Sequence, residues 1–373
     1  MRSGATRQDA LALRAGARPA RPGRGTRRGG TGNGPPHQVS SGRQLWAATG
    51  SRMRASTHAV VLLGQPLRAA VLRSVTTLLE GLDAEVHVVR RLADHPVTAL
   101  ELLISAPGDV ATTSVKLRAA LRAVVTDGES DIAVEPVGPH RRDKRMVVFD
   151  VDCTLLRGEV IDMLAARAGR EREVGAITQA AMRGEIDFTV SLHRRVAALA
   201  GLPALALDEV AGQAELTPGV PTTVQTLRQL GFPCGAISGG FSQVIQPIAA
   251  ELGLDFFAAN ELEIRDGRLT GRIVGDVIDQ RAKAAALCHF ASCYEIPLAQ
   301  CVAVGDGAND IDMLITAGLG VAFNAKPTLR EIADATLSYP FMDALLFVLG
   351  ISADEIAASR NAAAQPELSM AAS

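Results

Sequence analysis

The sequence predicts an α/β protein in two parts: a small α+β unit, then a larger domain built on a buried parallel sheet. Three observations carry this prediction. Apolar elements between His58 and Val137 alternate in the order βαββαβ. Two later runs, MVVFD (Met146 to Asp150) and CVAVGD (Cys301 to Asp306), are wholly apolar and end abruptly in acids. Central parallel strands buried on both faces look like this when their carboxyl ends open on a ligand crevice. Between the two parts lies GPHRRDKR (Gly138 to Arg145), charged and without periodicity, as expected of a linker. A chain of 373 residues with 47% apolar content has room for two or three such domains.

Residues 1–54 carry eleven arginines and one acid, Asp9, among many Gly, Pro and Ala. Too little apolar surface is available there to offset ordering entropy, so a disordered tail is expected. Met53 stands just before the first strand, and the natural start is expected there. AVVLLG (Ala59 to Gly64) reads as a strand. In the next segment, Leu67 to Leu82, Leu67, Val71, Val75, Leu78 and Leu79 recur at helical spacing. AEVHVVRRLA and VTALELLISA alternate as two strands, Ala111 to Asp127 forms a second helix, and Ser130 to Val137 a fourth strand. This is a ferredoxin-like unit of about eighty residues, assigned to 56–138. By element order it resembles an ACT regulatory domain, a family that commonly binds amino acids at domain interfaces. The first turn, GQPL (Gly64 to Leu67), lacks the acidic and glycine pattern that many amino-acid-binding members carry, so a module for homo-oligomer assembly is an equal alternative.

Net charge is −2 and no apolar run approaches the ~20 residues needed to span a bilayer, so neither nucleic acid nor membrane is expected as a partner and a cytoplasmic location is. Five cysteines, odd in number and never spaced C-x-x-C, speak against a disulfide framework or a zinc site.

Four segments carry chemistry. Asp150 and Asp152 lie two apart in DVDCT, so on extended chain both side chains leave the same side. A carboxylate nucleophile splits phosphate-ester cleavage into two easier displacements, a role for Asp150; the leaving alkoxide needs a proton and the later water must lose one, a role for Asp152. Thr154 can hydrogen-bond the first carboxylate or the turn backbone. GDGAND (Gly305 to Asp310) adds Asp306 at another strand end, and three carboxylates beside a phosphate suit magnesium. Gly305 and Gly307 permit close backbone approach or unusual dihedrals. In SGGF, the Ser238 hydroxyl and Gly239 amide are donors for phosphoryl oxygens. Lys283 supplies a point cation between nucleophile and phosphoryl group. Each alone has a plainer reading: a loop of solvated acids, a turn, a surface lysine.

Taken together in this order, the motifs from about Asp143 to Leu349 resemble those of the phosphoserine phosphatases of the haloacid dehalogenase-like superfamily. The resemblance implies a doubly wound parallel-sheet core over 143–355, a small helical cap at about 157–216, Mg2+ and an aspartyl-phosphate intermediate. It implies Asp150 as nucleophile and Asp152 as proton donor, with metal held by Asp150, the Asp152 carbonyl and Asp306. Ser238, Gly239 and Lys283 match phosphate contacts, Asn309 a substrate-side contact, and Asp310 a support for the lysine and metal loop. In the cap, Glu159 matches the residue facing a substrate ammonium, Arg195 the one pairing with its carboxylate, and Met182 and Phe188 apolar lining. A guanidinium fork recognises carboxylate bidentately and an acid complements an amine, which fits a zwitterion.

Two departures from the family pattern stand out: Cys153 replaces a serine, and His193 a basic residue of the arginine cluster. Lying between two acids, Cys153 is expected to make the site sensitive to thiol oxidation. The implied reaction is Mg-dependent hydrolysis of O-phospho-L-serine to L-serine and phosphate, the last step of serine biosynthesis. Alternatives are a related phosphatase, a phosphoserine-homoserine phosphotransferase, or a non-catalytic amino-acid-sensing protein. The Ala-rich end, 356–373, is expected to be a frayed helix or flexible tail.

Overall fold

The computed structural model describes residues 56–125, 130–137 and 146–370. The tail of 1–54, the start at Met53 and the linker Gly138 to Arg145 lie outside them. Eleven strands form one continuous sheet, in the order β2-β3-β1-β4-β11-β10-β9-β5-β6-β7-β8.

The first part consists of β1 (His58–Gly64), α1 (Ala69–Gly81), β2 (Glu85–Ala93), β3 (Thr98–Ser105), α2 (Val110–Val124) and β4 (Ser130–Pro136). β1 pairs antiparallel with β3 and β4, the ferredoxin-like arrangement. Along β1, Val60 and Leu62 meet Val71, Val75 and Leu79 of α1 and Leu117 and Leu121 of α2. Val61 and Leu63 face the other way and belong to the core of the second part, which includes Tyr339, Met342 and Leu345. Every residue of β1 is therefore buried, and its sequence is a continuous apolar run instead of an alternation.

The second part opens with β5 (Met146–Phe149), whose parallel neighbours are β6 (Cys234–Phe241) and β9 (Cys301–Gly305). Met146 and Val148 enter the core on one face and Val147 and Phe149 the core on the other, as a central strand requires. The parallel sheet continues through β10 (Leu319–Phe323) to β11 (Ala335–Leu337), and on the opposite side through β7 (Phe256–Arg265), which turns back as antiparallel β8 (Arg268–Val274). α8 (Ser242–Leu252), α9 (Gln280–Cys293), α10 (Ile311–Thr316) and α11 (Pro327–Ile332) connect strands; α12 is Ala344–Val348.

Between β5 and α7 (Val220–Gln229) lies a helical insertion, α3 (Val160–Ala168), α4 (Glu171–Met182), α5 (Phe188–Ala197) and α6 (Leu205–Gln213). An antiparallel bridge between Leu156 and Leu216 closes its base. Local sequence sets its breaks: Gly169 takes a left-handed φ of 66° after α3, and the Asp187 carboxylate accepts the Val190 amide at 2.9 Å to start α5.

The two parts meet where Ala133 of β4 pairs with Ala335 of β11. Beside this joint the Asp131 carboxylate accepts the Ser338 amide at 2.5 Å and its hydroxyl at 2.8 Å. Burial pushes the Asp131 pKa up, and these bonds oppose the shift. At the carboxyl end, Ala353–Met370 form a helix, α13. The Ser352 amide donates to Glu355 Oε2 at 2.8 Å and the Glu355 amide to Ser352 Oγ at 3.3 Å, a capping box ahead of a run of strong helix formers. Of the two forms expected for this end, the described residues take the helical one. Among the described residues no helix is long and apolar enough to cross a membrane.

Candidate active site

The carboxyl ends of β5, β6 and β9 converge under the helical insertion. Asp150 leaves β5 with its amide held by the Val304 carbonyl at 2.8 Å. The chain then turns sharply, with Cys153 at a φ of 57°. Asp150 Oδ1 accepts the Val151 amide at 2.7 Å and lies 2.7 Å from Lys283 Nζ. Lys283 projects from α9 and is fully buried; its ammonium also donates to Asp310 Oδ1 at 2.7 Å. Asp310 Oδ2 accepts the amides of Asp306 and Gly307 at 3.2 and 3.1 Å, so both its oxygens are engaged. A Cβ on Gly305 would stand 2.4 Å from the Asp310 carboxyl carbon, so close approach, not an unusual dihedral, requires this glycine.

Asp152 Oδ1 accepts the Val160 amide at 2.8 Å, which ties it to the start of the insertion. Asp150, Asp152 and Asp306 line one cavity with Glu159, Phe188, Arg195, Gly239 and Asn309. Ser238 is buried beneath it, its Oγ accepting the Gly240 amide at 2.8 Å, which leaves the hydroxyl proton free to donate. Among the predicted residues, Met182 is not brought to the cavity. It ends α4 just before a turn at Gly184 and is 68% exposed. Thr154 bonds neither Asp150 nor the turn; its hydroxyl is buried without a partner among the described residues.

Gly240 of SGGF and Gly307 of GDGAND also line the cavity, as do Ile161, Leu192 and Lys326, which sequence reasoning missed. Such reasoning also missed Asn260, whose side chain donates to the Gly239 carbonyl at 2.7 Å and accepts the Ile278 amide at 2.8 Å, tying the β6 loop to the approach to α9. Adjacency to SGGF in space, not in sequence, distinguishes Asn260.

Electrostatics follow from packing these acids away from water. Burial and the nearby Asp310 push Asp150 well above the ordinary carboxylate range, while Lys283 pulls it down. Burial and Glu159 push Asp152 up to about 7. Burial, Asp310 and Glu159 push Asp306 up to about 7. Burial alone would favour a neutral lysine, yet Asp150 and Asp310 outweigh it and hold Lys283 charged. Burial and the surrounding acids push the Cys153 thiol up to about 12. Thiolate is the species that peroxide oxidises, so burial and these acids oppose the oxidation expected of Cys153. All five cysteines are free thiols.

Carboxylate oxygens of Asp150, Asp306 and Asp310 lie within 4.8 Å of one another. An all-oxygen set with excess negative charge in a secluded site fits a hard divalent cation. Because Asp310 is spent on Lys283 and two amides, Asp150 and Asp306 are the side chains left to hold it.

Arg195, on α5, is 8% exposed, and its Nε has no partner among the described residues. Burial lowers its pKa, and Glu159, Asp162 and Asp152 oppose that shift.

Comparison with known proteins identifies the lineage. The sequence model of the haloacid dehalogenase-like hydrolases matches residues 147–314, and an ACT domain model matches 56–135. A phosphoserine phosphatase of Mycobacterium tuberculosis, SerB2, is 55% identical over 304 residues, which cover 82% of this chain and 74% of that protein. The chain belongs to the phosphoserine phosphatase family. A phosphoserine phosphatase of Streptomyces coelicolor is 48% identical over 80% of this chain and 72% of its own. The structure of a haloacid dehalogenase family hydrolase from Salmonella enterica superposes with a TM-score of 0.67 at 29% identity, covering 78% of this chain and 98% of that one. Membership in the family makes the protein a phosphatase with a haloacid dehalogenase-like core and an amino-terminal ACT domain.

Proposed function

We propose that the protein hydrolyses O-phospho-L-serine to L-serine and phosphate through a phosphorylated Asp150, the closing step of serine biosynthesis. The observation that carries this reading is the pairing of Asp150 with buried Lys283, beside a cavity that Asp150 shares with Asp152 and Arg195, whose Nε has no partner among the described residues. Asp150 attacks phosphorus while Lys283 offsets repulsion between the nucleophile and the incoming phosphate. Asp152, with a pKa near 7, gives its proton to the departing serine oxygen and takes one from the water that cleaves the acyl phosphate. The Ser238 hydroxyl and Gly239 amide bind phosphoryl oxygens. Arg195 pairs with the substrate carboxylate, Glu159 with its ammonium, and Asn309 contacts the substrate side. Phe188 closes over the site: a Cβ on Gly239 would come within 3.1 Å of its ring.

Asp150, Asp306 and the Asp152 carbonyl would hold Mg2+, which when bound neutralises phosphate charge in the transition state. The SerB2 match and the all-oxygen acidic cluster support this reading. The enzyme acts in the cytoplasm, and its ACT domain serves amino-acid binding or self-association.

Phosphate release from phosphoserine, phosphothreonine and simple sugar phosphates, with and without Mg2+, tests the assignment. Selective, Mg-dependent release from phosphoserine is expected; equal release from all three, or none from phosphoserine, would overturn it.

A further inference from the structure

Lys326 lines the active-site cavity, yet it lies outside the four segments whose chemistry was legible in the sequence. Asn324 turns the chain at the end of β10 with a left-handed φ of 43°, and the Lys326 amide then donates to the Asp306 carbonyl at 3.1 Å. Lys326 caps α11, with Pro327 at its first position. Four acids line the cavity, and a phosphate dianion has to enter past them. Lys283 is fully buried and spent on Asp150 and Asp310, and Arg195 sits on the helical insertion. Lys326 is the solvent-exposed cation on the sheet side of the opening. A cation at the mouth of an acidic cleft raises the local concentration of anions there.

The other end of α11 is held by the ACT domain. Six residues rising 1.5 Å each make this helix about 9 Å long, a stiff strut. The Arg122 guanidinium of α2 donates to the Glu331 carbonyl at 2.8 Å and to the Ala333 carbonyl, satisfying acceptors that a helix end leaves open. Arg118, one turn earlier on α2, pairs with Asp334, whose second oxygen accepts the Gly320 amide of β10 at 2.8 Å. Two arginines of one domain thus fix the carboxyl end of a strut whose amino end stands in the active site of the other.

We propose that Lys326 is the entry cation for the phosphate group and that the ACT domain positions it through Arg122, Arg118 and α11. The proposal rests on the chain being a phosphatase. It is therefore tested with p-nitrophenyl phosphate as well as phosphoserine, so that failure of the serine assignment leaves the test standing.

Lys326→Met is expected to raise KM about tenfold at low ionic strength with kcat within about twofold, and the gap should close in about 0.5 M salt, where the Debye length is a few Å. Lys326→Arg should retain the wild-type KM. Arg122→Ala should raise KM part of the way, and in a Lys326→Met background it should add nothing. The proposal is overturned by an unchanged KM in Lys326→Met. It is equally overturned by a salt-independent loss shared with Lys326→Arg, or by Arg122→Ala and Lys326→Met effects that simply multiply. Should Arg122→Ala melt below assay temperature, Arg118→Gln replaces it in the same cycle, with the same outcomes decisive.

Discussion

Asp150 and Asp131 are both buried carboxylates whose ionisation burial opposes, yet they sit in opposite kinds of surroundings. Asp150 faces a buried ammonium and opens on a cavity that it shares with other acids. Asp131 is wrapped by neutral donors, the Ser338 amide and hydroxyl, at the joint between the two domains. Burial of charge alone therefore does not mark chemistry. A carboxylate becomes a candidate nucleophile when a cation pins one oxygen and the other side is accessible. Where its hydrogen bonds come from neutral donors of the neighbouring strand and turn, it is a fastening.

Substitution at each carboxylate tests that contrast most directly. Asp150→Asn should lower kcat by about 10³-fold or more, the cost of removing a nucleophile, with circular dichroism unchanged. Asp131→Asn should leave kcat within about threefold, since its partners touch no reacting group. Equal losses in the two variants would erase the distinction.

A second test concerns the compensating cation. Lys283→Met strips Asp150 and Asp310 of their shared partner, and breaking a buried pair in this way costs about 3–5 kcal/mol, readable as a lower denaturation midpoint. Activity should fall by about 10²-fold or more in the same variant. A stable Lys283→Met protein would mean that the acids have another partner.

The cap offers a sharper contrast, between phosphate and carboxylate recognition. Arg195→Gln should reduce kcat/KM for phosphoserine about 100-fold, as loss of a bidentate charged contact does. For phosphoethanolamine, which lacks the carboxylate, the change should stay within about threefold. Equal losses on both substrates would remove Arg195 from carboxylate recognition.

The smallest effect is a pH dependence. Because burial raises the folded pKa of Asp131 above its unfolded value, the folded state holds that proton more tightly. The stability it contributes is fully present below the unfolded pKa and is lost as pH rises through the folded value. Asparagine carries no such proton, so the stability of Asp131→Asn relative to wild type should improve on going from acid to neutral pH. Urea melts of both proteins across that range measure it; a difference flat with pH would mean that Asp131 has an ordinary pKa.

Much of this architecture was legible in the sequence, and the limits have physical causes. β5 and β9 could be read because strands buried on both faces leave uninterrupted apolar runs, and the acids ending them mark the sheet's carboxyl rim. The ferredoxin-like order could be read from periodicity alone, but not that the second face of its sheet is covered, since Val61 and Leu63 look the same whichever core receives them. Lys283 was recognisable only by likeness to a family, because an isolated helical lysine carries no signal until its partners are placed. Asn260, Lys326 and Asp131 escaped for a related reason: their contacts join segments far apart in the chain, 207 residues in the case of Asp131 and Ser338. Met182 and Thr154 show the reverse: Met182 matched a cap position yet stands exposed, and the Thr154 hydroxyl is buried without the bond expected of it among the described residues. The helix at Ala353–Met370 was one of two forms expected of that end, and the cap of Ser352 with Glu355 supplies its start.

The single Ala133–Ala335 pairing has one more consequence. Without β4 beside it, β11 would be the rim of the parallel sheet, a row of unsatisfied amides and carbonyls open to strands from other molecules. By seating β4 there, the ACT domain covers part of that rim, which truncation to the hydrolase portion would uncover.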